Sequence, residues 1–302
     1  MSKATPKTLT IFAPAKLNLF LHITKRLSNG YHTLDSLVTF ADIGDIITIE
    51  SAPSFSFHIK GPFADAFKEE ERSTFLNGEN LVIKAARSLS QVADRPLNIK
   101  ITLTKNLPLS SGLGGGSSDA AATIWGLQEL WDLAHDADYL VPLMTKLGAD
   151  VPVCLNCRPT IMQGIGDILL PAPTMSEIPL LLINPMLSCA TQDVFLHHSG
   201  TFKKKTTLPE NLDSVFDLVE TLRTLENDLF EPALKLIPEI KNVINALNAQ
   251  KHCLLSRMSG SGASCFGLFE TIEHAENTAE KIKAENPDWW VKTGFLNRPE
   301  RY

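Results

Sequence analysis

The chain has 302 residues, 44% of them hydrophobic and 21% charged, with a net charge of −6 at neutral pH. That length favours two domains over a single core, and the ordinary balance of apolar and charged residues excludes disorder, collagen-like repeats and coiled coils. The weak acidity argues against a general nucleic-acid or membrane-surface binder, which would need a basic field.

From the N-terminus, residues 1–6 lack the apolar core of a secretory leader. Residues 16–23 alternate with period two, which predicts a strand: Leu17, Leu19, Leu21 and Ile23 take one face, and Lys16, Asn18, Phe20 and His22 the other. An ammonium and an amide sharing a polar face suit a hydroxylated or phosphorylated substrate, and equally suit a solvated strand. Ser28-Asn29-Gly30 reads as a turn. Residues 46–50 and 55–59 predict further strands, and residues 97–104 alternate cleanly enough for a half-buried one. Asn80 is placed to cap a helix in which Leu81, Ala85, Leu89 and Val92 recur at helical spacing.

The strongest signal follows. Pro108, Leu109, Ser110, Ser111, Gly112, Leu113, Gly114, Gly115, Gly116, Ser117 and Ser118 place four glycines and four serines before a helix marked by Ile124, Leu127, Leu130 and Trp131. Glycine enters left-handed conformations at little cost, so successive N–H groups can converge on one point. The helix start adds unpaired donors and a positive dipole end, so the junction suits a triphosphate. A Walker A loop would end in glycine, lysine and a hydroxyl residue, whereas this one ends Gly116-Ser117-Ser118-Asp119. A dinucleotide fingerprint would need a first strand and an acidic partner about 20 residues on. That spacing falls at residues 128–131 and Asp136, inside a helix. A flexible linker would not start and stop so abruptly against ordered elements.

A third helix is expected over residues 138–146, ending near Gly148. Asp150 then enters what reads as an apolar strand, continuing into Cys154-Leu155-Asn156-Cys157. A carboxylate there is either a cap or functional. The cysteine pair lacks the second pair that zinc requires and does not open a helix as a redox motif would. With Cys189, Cys253 and Cys265 the cysteines number five, scattered and odd, as in a reducing compartment. Pro171-Ala172-Pro173 suggests a boundary between domains spanning 1–172 and 173–302. The apolar run at 178–183 is too short to cross a bilayer, and its core predicts a buried strand. Helices are expected over 191–197, 212–226, 232–250 and 272–284, and strands over 254–258, 265–269 and 290–295. Without the extra helices this order is β-α-β-β-α-β, a split βαβ arrangement. Ser259-Gly260-Ser261-Gly262-Ala263-Ser264 holds more glycine than a hairpin turn needs, which suits close approach to a ligand or to the first loop. His197-His198 reads as a solvated helix end and Trp289-Trp290 as packing. The whole describes a soluble cytoplasmic protein.

Three of these segments, in this order, resemble the GHMP kinase superfamily: Pro14-Ala15-Lys16-Leu17-Asn18, the glycine loop with Asp119-Ala120-Ala121, and Met258-Ser259-Gly260-Ser261-Gly262-Ala263-Ser264. The resemblance covers nearly the whole chain. Gly30-Tyr31-His32, Gly148-Ala149-Asp150-Val151-Pro152 and Asn227-Asp228-Leu229 narrow it to the branch acting on cytidine diphosphate-linked methylerythritol in non-mevalonate isoprenoid synthesis. It implies a two-domain α+β fold, with an N-terminal domain like ribosomal protein S5 domain 2 and a ferredoxin-like C-terminal domain. It also implies transfer of the γ-phosphoryl of ATP to a tertiary 2-hydroxyl. On the matching positions, Asp150 would be the base with Lys16 beside it, and residues 108–118 would hold ATP. Asn18 would contact the methylerythritol part, Tyr31 would stack on the cytosine and His32 would hydrogen-bond it, with Thr191 and Phe195 completing that pocket. Mg²⁺ would arrive with the phosphates, since no carboxylate is marked as a dedicated ligand. A nucleic-acid or membrane partner is not implied, and the oligomeric state is left open. Ser110-Ser111 stand where the family favours smaller residues, and Gly166-Asp167 where Gly-Glu is frequent. The rivals are another GHMP kinase, acting on mevalonate, homoserine or a sugar, and a non-catalytic nucleotide-binding regulator. Having both Lys16 and Asp150 speaks against the second.

Overall fold

The computed structural model describes residues 8–67, 79–135, 140–188 and 190–298. Residues 1–6, Asp136, the expected start of the third helix at 138–139 and Cys189 lie outside them. Two long strands, β1 (Thr8–Arg26) and β2 (His32–Ser51), pair antiparallel around the turn at 28–30, where the Leu27 N–H donates to the Tyr31 carbonyl at 2.8 Å. The simple alternation expected for β1 is broken. Its register shifts between Pro14 and Lys16, between Asn18 and Phe20, and between Ile23 and Lys25. An extra residue turns the following side chains to the other face. Phe20, expected on the polar face, therefore joins Leu17 and Leu19 in one apolar cluster, while Leu21 and Ile23 enter another. The carbonyl of Leu19, at the bulge, accepts from the Arg257 guanidinium at 2.6 Å.

After β3 (Ser56–Lys60), helix α1 (Leu81–Ala93) starts at Asn80, whose side-chain oxygen accepts from the Val82 N–H at 2.9 Å. It buries Ala85 and Leu89 as expected, whereas Val92 in its last turn is exposed. Strand β4 (Ile99–Thr104) alternates, with Ile99, Ile101 and Leu103 inward, and leads through the glycine loop into α2 (Gly115–Trp131). Helices α3 (Leu140–Leu147) and α4 (Val151–Asn156) follow. The strand expected after Asp150 is thus a helix. Pro152 suits the first turn because its missing N–H has no helical partner there, and so short an apolar run has no period to tell strand from helix. The two-cysteine segment closes this helix, with Cys157 as its left-handed C-cap, rather than extending a strand.

Then come β5 (Thr160–Gly164), β6 (Ile168–Pro171), β7 (Thr174–Met175), β8 (Ile178–Asn184), α5 (Thr191–Leu196), β9 (Asn211–Leu212) and α6 (Val215–Arg223). Helix α6 begins later than expected because Ser214 and Asp217 form a capping box at its start. The long helix expected over 232–250 is two, α7 (Phe230–Leu236) and α8 (Glu239–Asn248), parted at Pro238, which has no N–H to continue the ladder. The chain ends with β10 (Leu255–Met258), β11 (Cys265–Leu268), α9 (Ile272–Glu285) and β12 (Trp290–Leu296).

The fold is α+β. One ten-stranded sheet carries the order β10-β11-β8-β12-β2-β4-β3, with β1 and β5 also paired to β2, and β6 to β5. The β10-β11-β8-β12 part is the antiparallel order of a split βαβ unit. Leu296 of β12 pairs with Ala41 of β2, so the sheet runs through the expected boundary at 171–173. Helices α1, α2 and α4 bury one apolar cluster against the N-terminal strands, and α7, α8 and α9 another against β8 and β11. Among the described residues no helix is long and apolar enough to cross a membrane.

Candidate active site

The three polar stations of the sequence converge on a cleft of about 580 Å³. Their backbones interlock. The Lys16 N–H donates to the Leu113 carbonyl at 2.8 Å and the Ser264 N–H to the Ser111 carbonyl at 3.0 Å. The Ser259 hydroxyl donates to the Gly112 carbonyl at 3.1 Å and accepts from the Asn18 N–H at 3.2 Å. Asn227 braces the late turn from behind, donating to the carbonyls of Met258 and Gly260 at 2.9 and 2.8 Å. Two glycines make this approach possible. Gly112 has φ +77° and a Cβ there would lie 2.5 Å from the Ser259 carbonyl oxygen, while Gly114, at φ +63°, passes the Lys16 side chain with room for only a 3.0 Å contact.

Of the loop residues expected around ATP, 108–112 and 114–117 line the cleft. Leu113 turns into an apolar cluster with Leu107 and Leu17. Ser118 is buried in the first turn of α2, and its hydroxyl has no hydrogen-bond partner among the described residues. Lys16, Asn18, Asp150, Thr191 and Phe195 all line the same space. Asp150 occupies the N-cap position of α4, yet its side chain does not cap the helix. Instead its Oδ2 accepts from the Lys16 ammonium at 2.9 Å, with Lys16 5% exposed and Asp150 33%. The carboxylate therefore faces the cleft, with a buried cation behind it.

Tyr31 and His32 are not among the residues lining the cleft, and His32 adjoins it through Phe195. Tyr31 is 63% exposed on the β1–β2 turn, an open aromatic face. His32 is buried and stacks on Phe195, ring centroids 5.6 Å apart at 26°, and the edge of His198 meets it at 5.8 Å. His198 is thus half-buried ring packing, not the solvated helix end expected of it. Burial, then His198 and Arg26, lower His32 below the usual histidine value. Thr191, at the start of α5, shares a 2.9 Å hydrogen bond with the Ser261 hydroxyl, which joins this corner to the late glycine turn.

The sequence reading missed an ionic group under the loop. The Lys105 ammonium lies 2.5 Å from Asp45 and 2.7 Å from Asp119, and all three side chains are nearly inaccessible. Asp45 also accepts the N–H groups of Asn106 and Leu107 at 2.5 and 2.9 Å, fixing the entry to the loop. Burial, then the charge of Asp45, pushes Asp119 well above the usual carboxylate value; burial opposes the charge of Lys105, but the two carboxylates raise it overall. The missed signal was positional. Lys105 continues the inward register of Ile99, Ile101 and Leu103, and a charge in an apolar register needs a buried counter-ion. The three carboxylates that line the cleft, Glu79, Asp119 and Asp150, are each engaged by a lysine. A cation carried by phosphate oxygens and water fits this donor set better than one needing a protein cage.

Two family models match the chain: GHMP kinases N terminal domain at residues 80–158 and GHMP kinases C terminal at residues 210–288. A 4-diphosphocytidyl-2-C-methyl-D-erythritol kinase of Paramagnetospirillum magneticum is 42% identical over 96% of this chain and 99% of its own length. One from Cereibacter sphaeroides is 45% identical over 93% of this chain and 96% of its own. A crystal structure of 4-(cytidine 5'-diphospho)-2C-methyl-D-erythritol kinase, 32% identical, superposes with a TM-score of 0.74 over 96% of this chain and all of that one.

Proposed function

Because the chain belongs to the 4-diphosphocytidyl-2-C-methyl-D-erythritol kinases of the GHMP superfamily, we propose that it phosphorylates that substrate on its 2-hydroxyl with ATP, in isoprenoid precursor synthesis by the non-mevalonate pathway. The observation that carries the mechanism is the Asp150 carboxylate turned from its helix toward Lys16 at the mouth of the glycine loop. Phosphoryl transfer depends mostly on positioning and charge stabilisation. Backbone N–H groups of residues 112–117, at the start of α2, receive the triphosphate, while that of Ser118 donates to the Gly114 carbonyl at 2.9 Å. Asp150 takes the proton of the tertiary hydroxyl, and Lys16 holds the carboxylate in place and faces the transferring group. Tyr31 stacks on the cytosine, while His32 hydrogen-bonds it. Thr191 and Phe195 complete that pocket, and Asn18 meets the methylerythritol end. Mg²⁺ arriving with ATP would be held by phosphate oxygens and water and would supply neutralisation of phosphate charge. The nucleotide loop and base belong to the part spanning 1–172, and the late glycine turn from 173–302 closes the cleft. The reaction belongs to the cytoplasm.

Incubation with γ-labelled ATP and the cytidylylated methylerythritol should place label in the 2-phosphate, and CDP should compete. No labelled product would overturn the assignment, and indifference to CDP would point to another acceptor class. CDP affinity should hold from about pH 8 to 6.5 and weaken below, measured by calorimetry. The sign follows from His32: its value is lowered, so the neutral ring with one acceptor nitrogen persists at neutral pH and is lost only as pH falls through that lowered value. Affinity that rises on acidification would remove neutral His32 from cytosine binding.

A further inference from the structure

The side chain of Asn18 is 1% exposed, and its orientation follows from a chain of hydrogen bonds. Ser36 lies opposite on β2, fully buried. Its hydroxyl is 2.5 Å from the Phe20 carbonyl oxygen and 2.8 Å from the Asn18 amide nitrogen. A carbonyl oxygen only accepts, so the single hydroxyl hydrogen of Ser36 goes to Phe20. The contact with Asn18 must then use a Ser36 lone pair, which requires the amide NH₂ to face Ser36. The other end of the amide is thereby turned away. Its Oδ1 is buried, has no partner among the described residues, and faces Gly260, where a Cβ would sit 3.3 Å from it. Lys16, Asp150 and Gly260 line the cleft alongside it.

We propose that Ser36 is a positioning residue for the phosphoryl acceptor: it locks the Asn18 amide so that an acceptor oxygen, not the NH₂, meets a hydroxyl of the substrate's polyol end. The proposal rests on the reading that Asn18 faces that end. A buried acceptor without a partner is costly, and a substrate hydroxyl removes the cost on binding. A ligand without that hydroxyl leaves it in place, which is how a polar site rejects deoxy analogues. The bulge at Leu19 is part of the device. Ser36 stands opposite Leu21 and Asn18 opposite Val38 in the ladder, so the slip between Asn18 and Phe20 lets one hydroxyl reach both Phe20 and Asn18.

The test is steady-state kinetics of Ser36→Ala, Ser36→Thr, Asn18→Ala and the Ser36→Ala/Asn18→Ala double variant, with CDP binding as the check on an intact fold. Ser36→Ala should lower kcat/KM for the acceptor about 10- to 100-fold, with KM for ATP within about twofold of wild type. Ser36→Thr, which keeps the hydroxyl, should recover most of the loss. The double variant should lose no more than Asn18→Ala alone, because Ser36 acts only through the amide. Unchanged acceptor kinetics in Ser36→Ala beside a marked loss in Asn18→Ala would overturn the role of Ser36 alone. No effect of Asn18→Ala would overturn the reading beneath it. Fully additive losses, or equal losses toward ATP and acceptor, would reduce Ser36 to a packing residue. Should Ser36→Ala fail to bind CDP, the Ser36→Thr variant decides: wild-type acceptor kinetics support the proposal, and a selective acceptor defect with the hydroxyl present overturns it.

Discussion

Asp150→Ala is expected to bind ATP and the cytidine substrate nearly as well as the native protein and to lose about 10²–10⁴-fold in turnover, the usual contribution of a positioned general base. The fold should survive, because the side chain is one-third exposed and does not cap α4. What is lost is a carboxylate held 2.9 Å from the Lys16 ammonium and aimed at the space above the glycine loop. A tertiary alcohol is a weak nucleophile, so removal of its proton matters more here than for a primary one. Single-turnover rates with saturating substrates isolate the effect from binding. Turnover within a few-fold of native would exclude Asp150 as the base. Asp150→Asn, which keeps the shape, should lose nearly as much.

Lys105→Met is expected to destabilise the protein by about 3–5 kcal/mol, the cost of removing one partner from a buried ionic group. Lys105 is 2% exposed, and without it Asp45 and Asp119 face each other with no counter-charge in the group. Because Asp45 also holds the Asn106 and Leu107 N–H groups, the entry to the glycine loop should loosen and KM for ATP should rise. Urea unfolding measures the first effect and initial rates the second. Adding Asp119→Asn to Lys105→Met should restore part of the stability, since one of the stranded charges is then gone. Native stability in Lys105→Met would show that the network contributes nothing net.

Much of the architecture was legible beforehand. Strand β4, the Asn80 cap, the helix after the glycine loop and the C-terminal β-α-β-β-α-β order each follow from periodicity or capping chemistry within a short window. Two of the differences share a cause, dependence on distant parts of the chain. Residues 151–156 are too few to show a period, so the apolar run reads locally as strand where tertiary packing makes a helix. In β1 a bulge reverses the faces after Asn18, and a bulge is a property of the pairing with β2, invisible along one strand. Pro238 is the local sign of the break between α7 and α8, which a single helix over 232–250 ignores. The Lys105 group also has a local sign, a cation in the inward register of β4.

The amino-acid order by itself marks the place where the proposed mechanism holds an anion. A glycine-rich run before a helix start makes convergent N–H donors wherever the rest of the chain lies, because that chemistry belongs to the backbone. Tertiary structure alone decided which side chains act together there. Lys16 meets Asp150 across 134 residues of sequence, and the late glycine turn reaches the first loop across 147. Such pairings depend on packing between distant segments, where burial and hydrogen-bond partners choose each side chain's orientation.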